Sequence, residues 1–494
     1  MITKELQKAW DYEANYMSYI PDQERPAFHV TGGIGWINDP NGFSCYQGEY
    51  HLFYQYHPYD NNWGPMHWGH VKTKDFIRWE RLPIAMAPDM EYDHYGCFSG
   101  SAVETPDGKH LLMYTGVQKL LQDDGNYQEF QTQCIAIGDG VTYEKISQNP
   151  VLTGADVPEG NSAKDFRDPK LWYDSEEKCY YSVVGNRTSD GSGAVLLFRS
   201  ENGIDWQFVT TLDASQNQYG KMWECPDFFS LDGEHVLFVS PQEMKRMGYE
   251  FHIGNGTVCL MGDYNKESHV FDRKRVHTID YGLDFYAPQT TDTPDGRRIM
   301  IGWMQNWATC RSQPENVRWF GEMALPRELS IRDGRLYQVP VRELESYHKN
   351  PISYQNVCVN EETQLEGIRG RILDMTITVR PGEGRGYERF KLNLAQGDDN
   401  VTSVIYNPNT GLVTFDRTDC GFNYDIVNER SFLVKEGQEL KIRVVMDRYS
   451  IELFFNDGAA AATAMIYTPQ EHDAISFEAE GSALIDVEKY DLAL

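Results

Sequence analysis

The apolar pattern changes character twice along the 494-residue chain. Residues 3–20 (TKELQKAWDYEANYMSYI) put Leu6, Trp10 and Met17 on roughly one face, which predicts a short N-terminal helix. From about residue 27, short β-forming runs alternate with Gly, Asp and Asn turns, without a sustained helical period. Beyond residue 350 the runs lengthen and alternate strictly: RILDMTITV, FKLNLAQ, TSVIYN, LVTFD and LKIRVVMDRYSIELFFNDG. Leu440, Ile442 and Val444, then Ile451, Leu453 and Phe455, give each strand one face to bury, and the Asn-Thr-Gly and Asn-Asp-Gly turns mark hairpins. This last stretch reads as a β-sandwich.

The middle stretch repeats itself. Five segments, opening NDPNG, FSGSA, RDPKL, ECPDF and FYAPQ, share one plan of polar motif, short strand, turn and β run. Aligning their first strands makes Asp39, Ser99, Asp168, Glu224 and Tyr286 equivalent, at intervals of 60, 69, 56 and 62 residues. Tyr54, Tyr114, Val183, Val239 and Ile301 then fall at matching places in the second run. A separate echo spaces Trp79, Tyr143 and Trp206 at 64 and 63 residues. Five such units, each unable to bury its faces alone, predict a five-bladed β-propeller. The expected chain is all-β: an N-terminal helical extension over 1–26, the propeller over 27–335, a linker with a helical turn or two over 336–350, and the sandwich over 351–494.

Charge and composition narrow the chemistry. With 45 basic and 74 acidic residues the net charge is −29, which disfavours nucleic acid and anionic membrane as partners. No run approaches the roughly 18 apolar residues of a membrane span. Residues 1–20 lack a basic segment followed by a continuous apolar one, so no signal peptide is expected and a cytoplasmic setting is. The nine cysteines are scattered, odd in number and without C-x-x-C spacing, which favours a reducing compartment over zinc or a disulfide framework. His57, His67 and His70 lie near Trp63 and Trp68 but lack metal-ligand spacing; an aromatic loop is expected there, with neither metal nor cofactor.

Candidate chemistry follows from the repeat. Equivalent positions on innermost propeller strands face the axis, so Asp39, Asp168 and Glu224 are expected to converge on one funnel, where like charges raise some pKa values. Trp36-Ile37-Asn38-Asp39-Pro40-Asn41-Gly42 sets Asp39 on stiff turn-forming backbone beside an aromatic face, which suits a carboxylate that stays ionised. Glu224, between Trp223 and Cys225-Pro226, is expected to be partly desolvated and protonated. Asp168 is expected to be kept ionised by Arg167. Carboxylates paired across a sugar are the equipment of glycoside hydrolysis. Gln55, Trp63, Phe98, Ser99, Tyr286 and Trp303 offer hydrogen bonds and stacking faces beside them. The sandwich concentrates no comparable residues, and a supporting role is expected of it.

WINDPNG, FRDPK and WECPD, in this order and spacing, resemble glycoside hydrolase family 32, the family of invertases, sucrose-6-phosphate hydrolases, levanases and inulinases. FYQYHP (53–58), WGPMHWGH (63–70), CFSGSA (97–102), DFYAPQ (284–289) and GWMQNW (302–307) add to the resemblance, which spans the propeller and extends more loosely over the sandwich. It implies a propeller followed by a sandwich and a retaining attack on a terminal β-fructofuranosyl unit. Matched by motif, Asp39 is the nucleophile, Glu224 the acid/base and Asp168 the transition-state stabiliser. Asn38, Gln55, Trp63, Phe98, Ser99 and Arg167 match sugar-binding positions, as do Tyr286 and Trp303. A retaining site implies Asp39 and Glu224 carboxyls roughly 5–5.5 Å apart. One departure stands before the first motif, where His29-Val30-Thr31-Gly32 replaces a His-x-x-Pro pattern and is expected to loosen the loop entering the site. The expected activity is exo-hydrolysis of sucrose, sucrose 6-phosphate or short fructo-oligosaccharides. Fructan exo-hydrolysis or fructosyl transfer is the alternative, and a non-catalytic sugar-binding propeller, which would have lost at least one of the three acids, the remote one. Oligomeric state stays open.

Overall fold

The structure, a computed structural model, describes residues 2–123, 125–310, 317–421 and 426–493. Helix α1 spans Lys4–Tyr16, with the Thr3 side chain accepting from the Leu6 amide as N-cap. It buries Leu6 and Ala9 in the core of the first sheet, and the Trp10 indole donates to the Ile84 carbonyl at 2.8 Å.

Five antiparallel sheets follow. Their innermost strands are Gly35–Tyr46, Gly96–Glu104, Asn161–Asp174, Trp223–Leu231 and Tyr286–Asp292, and each sheet then grows outward in chain order. Each inner strand packs on the next and the fifth packs on the first, which closes a ring. Trp319–Phe320, from a connection within the fifth sheet, pairs in parallel with Gly35 and Trp36 of the first and fastens the two together. The echo of Trp79, Tyr143 and Trp206 marks one structural position, the first residue of the outermost strand in three successive sheets.

Every inner strand carries a β-bulge at its polar motif. Register breaks fall between Ile37 and Pro40, Phe98 and Gly100, Glu224 and Asp227, and Tyr286 and Gln289, and opposite the Val183–Gly185 step in the third sheet. An extra residue kinks a strand and re-aims its side chain, here toward the ring axis. Proline tolerates the lost ladder bond, and it follows the bulged residue as Pro40, Pro169, Pro226 and Pro288. Gly100 takes that place in the second sheet, where a Cβ would strike the Met113 and Tyr114 backbone.

These bulges correct the repeat alignment. The non-glycine residues at positive φ in the inner strands are Asp168, Cys225 and Ala287, so the position of Asp168 is matched by Cys225 and Ala287 rather than by Glu224 and Tyr286. Glu224 and Tyr286 stand one residue earlier, level with Arg167. Below the bulges, side chains tie the ring: Ser101 donates to the Pro169 carbonyl at 2.7 Å, Gln289 to that of Gly100 at 2.8 Å and Lys170 to that of Thr290 at 2.6 Å.

The C-terminal part is a six-stranded sheet on a five-stranded one, with Leu440, Ile442, Val444, Ile451, Leu453 and Phe455 buried between them. Residues 336–350 differ from the linker expected there. Arg335–Pro340 forms the last strand of the fifth sheet, burying Leu336, Gln338 and Pro340 in alternation; only Arg342–Tyr347 turns as a 3₁₀ segment before the sandwich strand His348–Val359 begins. A single short strand ending in proline gives too little period to separate it from a loop by sequence.

A buried ionic network joins sandwich to ring. His29 lies 2.8 Å from Asp447 and 3.0 Å from Glu452, and Arg327 bridges Glu452 at 2.6 Å and Asp280 at 2.9 Å. The loop after His29 is therefore pinned, not loosened. Arg25 donates to the Gly32 and Gly33 carbonyls at 3.0 and 2.6 Å, and Arg81 to that of Thr31 at 3.0 Å. Guanidinium donors do the restraining that a proline would have done.

Candidate active site

The bulges of the first four sheets open onto one cavity of about 420 Å³ at the mouth of the ring. Asp39, Asp168 and Glu224 all line it, each at least nine-tenths buried. Asn38, Gln55, Trp63, Phe98, Ser99 and Arg167 line it with them. The sequence thus placed the three acids and six of the eight proposed sugar-binding residues in one space.

Asp39 is held on both oxygens. The Ser99 hydroxyl donates to Oδ2 at 2.7 Å and the Asn38 amide to Oδ1 at 3.1 Å, while the Trp36 indole fixes Asn38 at 2.8 Å. Cys225, at the bulge position of the fourth sheet, reaches two acids at once: its Sγ lies 3.5 Å from Asp39 Oδ2 and 3.6 Å from Asp168 Oδ2, and its amide donates to Asp168 at 3.1 Å. Thr115 accepts from the Asp168 amide at 2.9 Å and so holds its strained backbone.

Glu224 is held by donors, not by the apolar neighbours its sequence context suggested. Arg167 Nη2 and Nε approach Oε1 at 2.9 and 3.1 Å, and the Tyr286 hydroxyl approaches Oε2 at 2.7 Å. Arg167 Nε lies 3.9 Å from Asp168, so the expected pairing of those neighbours is the longer contact. Asp168 is accordingly not kept in the ordinary carboxylate range. Burial pushes it up, Arg167 opposes, and the charges of Glu224 and Asp39 push it further, to about 7. Burial raises Asp39 too, against the Ser99 hydrogen bond, with the Glu224 charge adding to the rise.

Tyr286 and Trp303 do not line the cavity. Tyr286 is fully buried and acts through its bond to Glu224. Trp303 is fully buried behind the wall, its ring edge-on to Trp36 at 6.0 Å and to Trp307 at 5.2 Å. The aromatic surface facing the cavity from that side is Trp307, four residues further along the GWMQNW run. Sequence reasoning also missed Glu129, Gln131, Asp165 and Gln242 in the lining. Asp165, three residues before Asp168, carried a local signal. Gln131 had none, although it accepts from Arg167 at 3.3 Å and from the Phe166 amide at 2.9 Å. His57, His67 and His70 hydrogen-bond separately, to the Asn62 carbonyl, the Pro65 carbonyl and His51.

A β-sheet ring that converges buried carboxylates on a polar, aromatic-rimmed cavity, together with the likenesses below, defines this protein as a glycoside hydrolase. The chain belongs to glycosyl hydrolases family 32, whose N-terminal domain model matches residues 29–340 and whose C-terminal model matches residues 343–492. It is 37% identical to the raffinose invertase of Escherichia coli over 93% of each chain. It is 35% identical to the sucrose-6-phosphate hydrolase of Zymomonas mobilis, over 93% of this chain and 90% of that one. Among solved structures it resembles a Bombyx mori GH32 beta-fructofuranosidase, with a TM-score of 0.83 and 32% identity over 98% of this chain and 97% of that one.

Proposed function

We propose that this chain is a retaining, exo-acting β-fructofuranosidase that releases fructose from sucrose, sucrose 6-phosphate or short fructo-oligosaccharides, with Asp39 as nucleophile and Glu224 as acid/base. The observation that carries the assignment is the unequal tethering of the two carboxylates. Asp39 is fixed on both oxygens by short, rigid donors, as a nucleophile needs in order to meet one carbon. Glu224 is held by a long arginine and a tyrosine that a substrate can displace. In the first step an Asp39 oxygen bonds to the anomeric carbon, the bond to the glycosidic oxygen breaks, and the Glu224 proton passes to that oxygen. In the second, Glu224 takes a proton from water, whose oxygen displaces Asp39 and frees fructose with its configuration retained. Asp168, locked by the Cys225 amide, is placed to hold fructosyl hydroxyls, as are Asn38, Gln55, Ser99 and Arg167, with Trp63 and Phe98 as apolar walls.

The catalytic portion is read as running through Pro340 and the sandwich as a support joined to it by the His29–Glu452–Arg327 network. No helix among the described residues is long and apolar enough to cross a membrane; a cytoplasmic setting, where imported sucrose is met, fits cysteines that are scattered and odd in number. The 33% identity to the levanase of Bacillus subtilis, over 94% of this chain and 70% of that one, favours fructan chains as a second substrate class. The assay is fructose release from sucrose, raffinose and inulin, with the anomer of the first-formed fructose followed by NMR. β-Fructose as the first product supports the proposal, and α-fructose overturns retention.

A further inference from the structure

A phosphate monoester is recognised by cations and by N–H donors free to turn toward it, with arginine the preferred residue. The cavity is lined by five carboxylates, Asp39, Glu129, Asp165, Asp168 and Glu224, and among the described residues by one cation, Arg167. That cation is engaged already: Glu224 at 2.9 Å, Asp165 at 3.6 Å and Asp168 at 3.9 Å surround it. At the rim, Lys119 lies 3.7 Å from Glu129 and 3.2 Å from the Tyr95 hydroxyl, with its ammonium 4.6 Å from the centre of the Tyr95 ring. Tyr95 in turn meets Trp63 at 5.8 Å, so this lysine stands at the aromatic lip, and Glu129 holds it.

We infer that the site selects neutral fructosyl saccharides and discriminates against those carrying a phosphate monoester, with Glu129 and Asp165 as the residues that enforce the choice. The inference rests on the β-fructofuranosidase reading and departs from the substrate named for several relatives of the chain. A dianion entering the cavity meets five carboxylates against one lining cation, and it gains Arg167 or Lys119 only by breaking an existing ion pair. A neutral disaccharide meets neither cost, and Trp63, Phe98 and Trp307 offer faces for its rings. Asp39, Asp168 and Glu224 serve the chemistry itself; Glu129 and Asp165 are left to set the sign of the rim.

The test compares kcat/KM for sucrose and for sucrose 6-phosphate with the purified full chain, at low and at high salt. The expected result is a preference for sucrose of at least about tenfold, narrowing as salt screens the rim charges. Glu129→Gln, which frees Lys119, is expected to move the ratio several-fold toward the phosphate. Equal or better use of sucrose 6-phosphate would overturn the inference while leaving the β-fructofuranosidase reading intact. A sucrose preference unaffected by salt would also overturn it, because the discrimination would then be steric. Turnover of neither saccharide, nor of raffinose, would remove the reading on which it rests.

Discussion

Arg167 grips Glu224 rather than its sequence neighbour Asp168, at 2.9 Å against 3.9 Å. The cause is the register of the bulges. Arg167 and Glu224 occupy the same position on adjacent inner strands, one residue before the bulge, and so point side by side across the cavity. Asp168 and Cys225 share the next position and meet through the Cys225 amide at 3.1 Å. Two layers of contacts result, one between long side chains and one tied to backbone, and the proposed chemistry divides between them.

Glu224→Gln keeps the length and the Tyr286 contact of the side chain but cannot supply a proton. On sucrose the expected loss in kcat is at least about a hundredfold, within the range ascribed to general acid catalysis. A fructoside whose leaving group needs no protonation should be spared in its first step. Equal losses on both substrates would remove Glu224 as the acid.

Asp39→Asn retains the Ser99 and Asn38 neighbours and removes the attacking charge. Turnover should fall by about a thousandfold or more, with an unchanged melting temperature and retained sucrose binding by calorimetry. Near-normal turnover in this variant would overturn the assignment of the nucleophile.

The propeller was readable because proline recurs after four of the five bulges and β runs recur behind all of them, and a ring leaves little freedom to units of that size. The one-residue offset in the fourth and fifth sheets was not readable. Acid was aligned with acid, whereas the backbone equates Asp168 with Cys225 by its positive φ. Trp303 had the composition of a stacking residue, but its burial depends on Trp36 and Trp307, which only the closed ring places around it. His29 gave no sign of its role because Asp447 lies 418 residues away. The sandwich strands were legible for the opposite reason, since a period of two writes one buried face directly into the sequence.

Ser99→Ala removes the hydroxyl that lowers the Asp39 pKa against its burial. Asp39 must be ionised to attack, so the acidic limb of the kcat/KM profile should move to higher pH in the variant. In the parent enzyme that limb should already lie above the ordinary carboxylate range, because burial raises Asp39 and Asp168 together. An unmoved limb with a lower plateau would mean that Ser99 positions sugar without tuning the nucleophile.

His29→Gln tests the joint between ring and sandwich. Burial alone would push the imidazole down, but the hydrogen bonds and charges of Asp447 and Glu452 outweigh it and hold the pKa at about 10. A histidine raised above its unfolded value of about 6.5 contributes stability that is fully present below that pH. The contribution declines as pH rises and is lost through about 10. Removing one partner of a buried charge network costs on the order of 3–5 kcal/mol. The stability gap between parent and variant, from denaturant unfolding, should therefore be widest near pH 6 and close toward pH 10. A gap constant across that range would mean that His29 is neutral in the folded protein and joins the two parts by shape and hydrogen bonds alone.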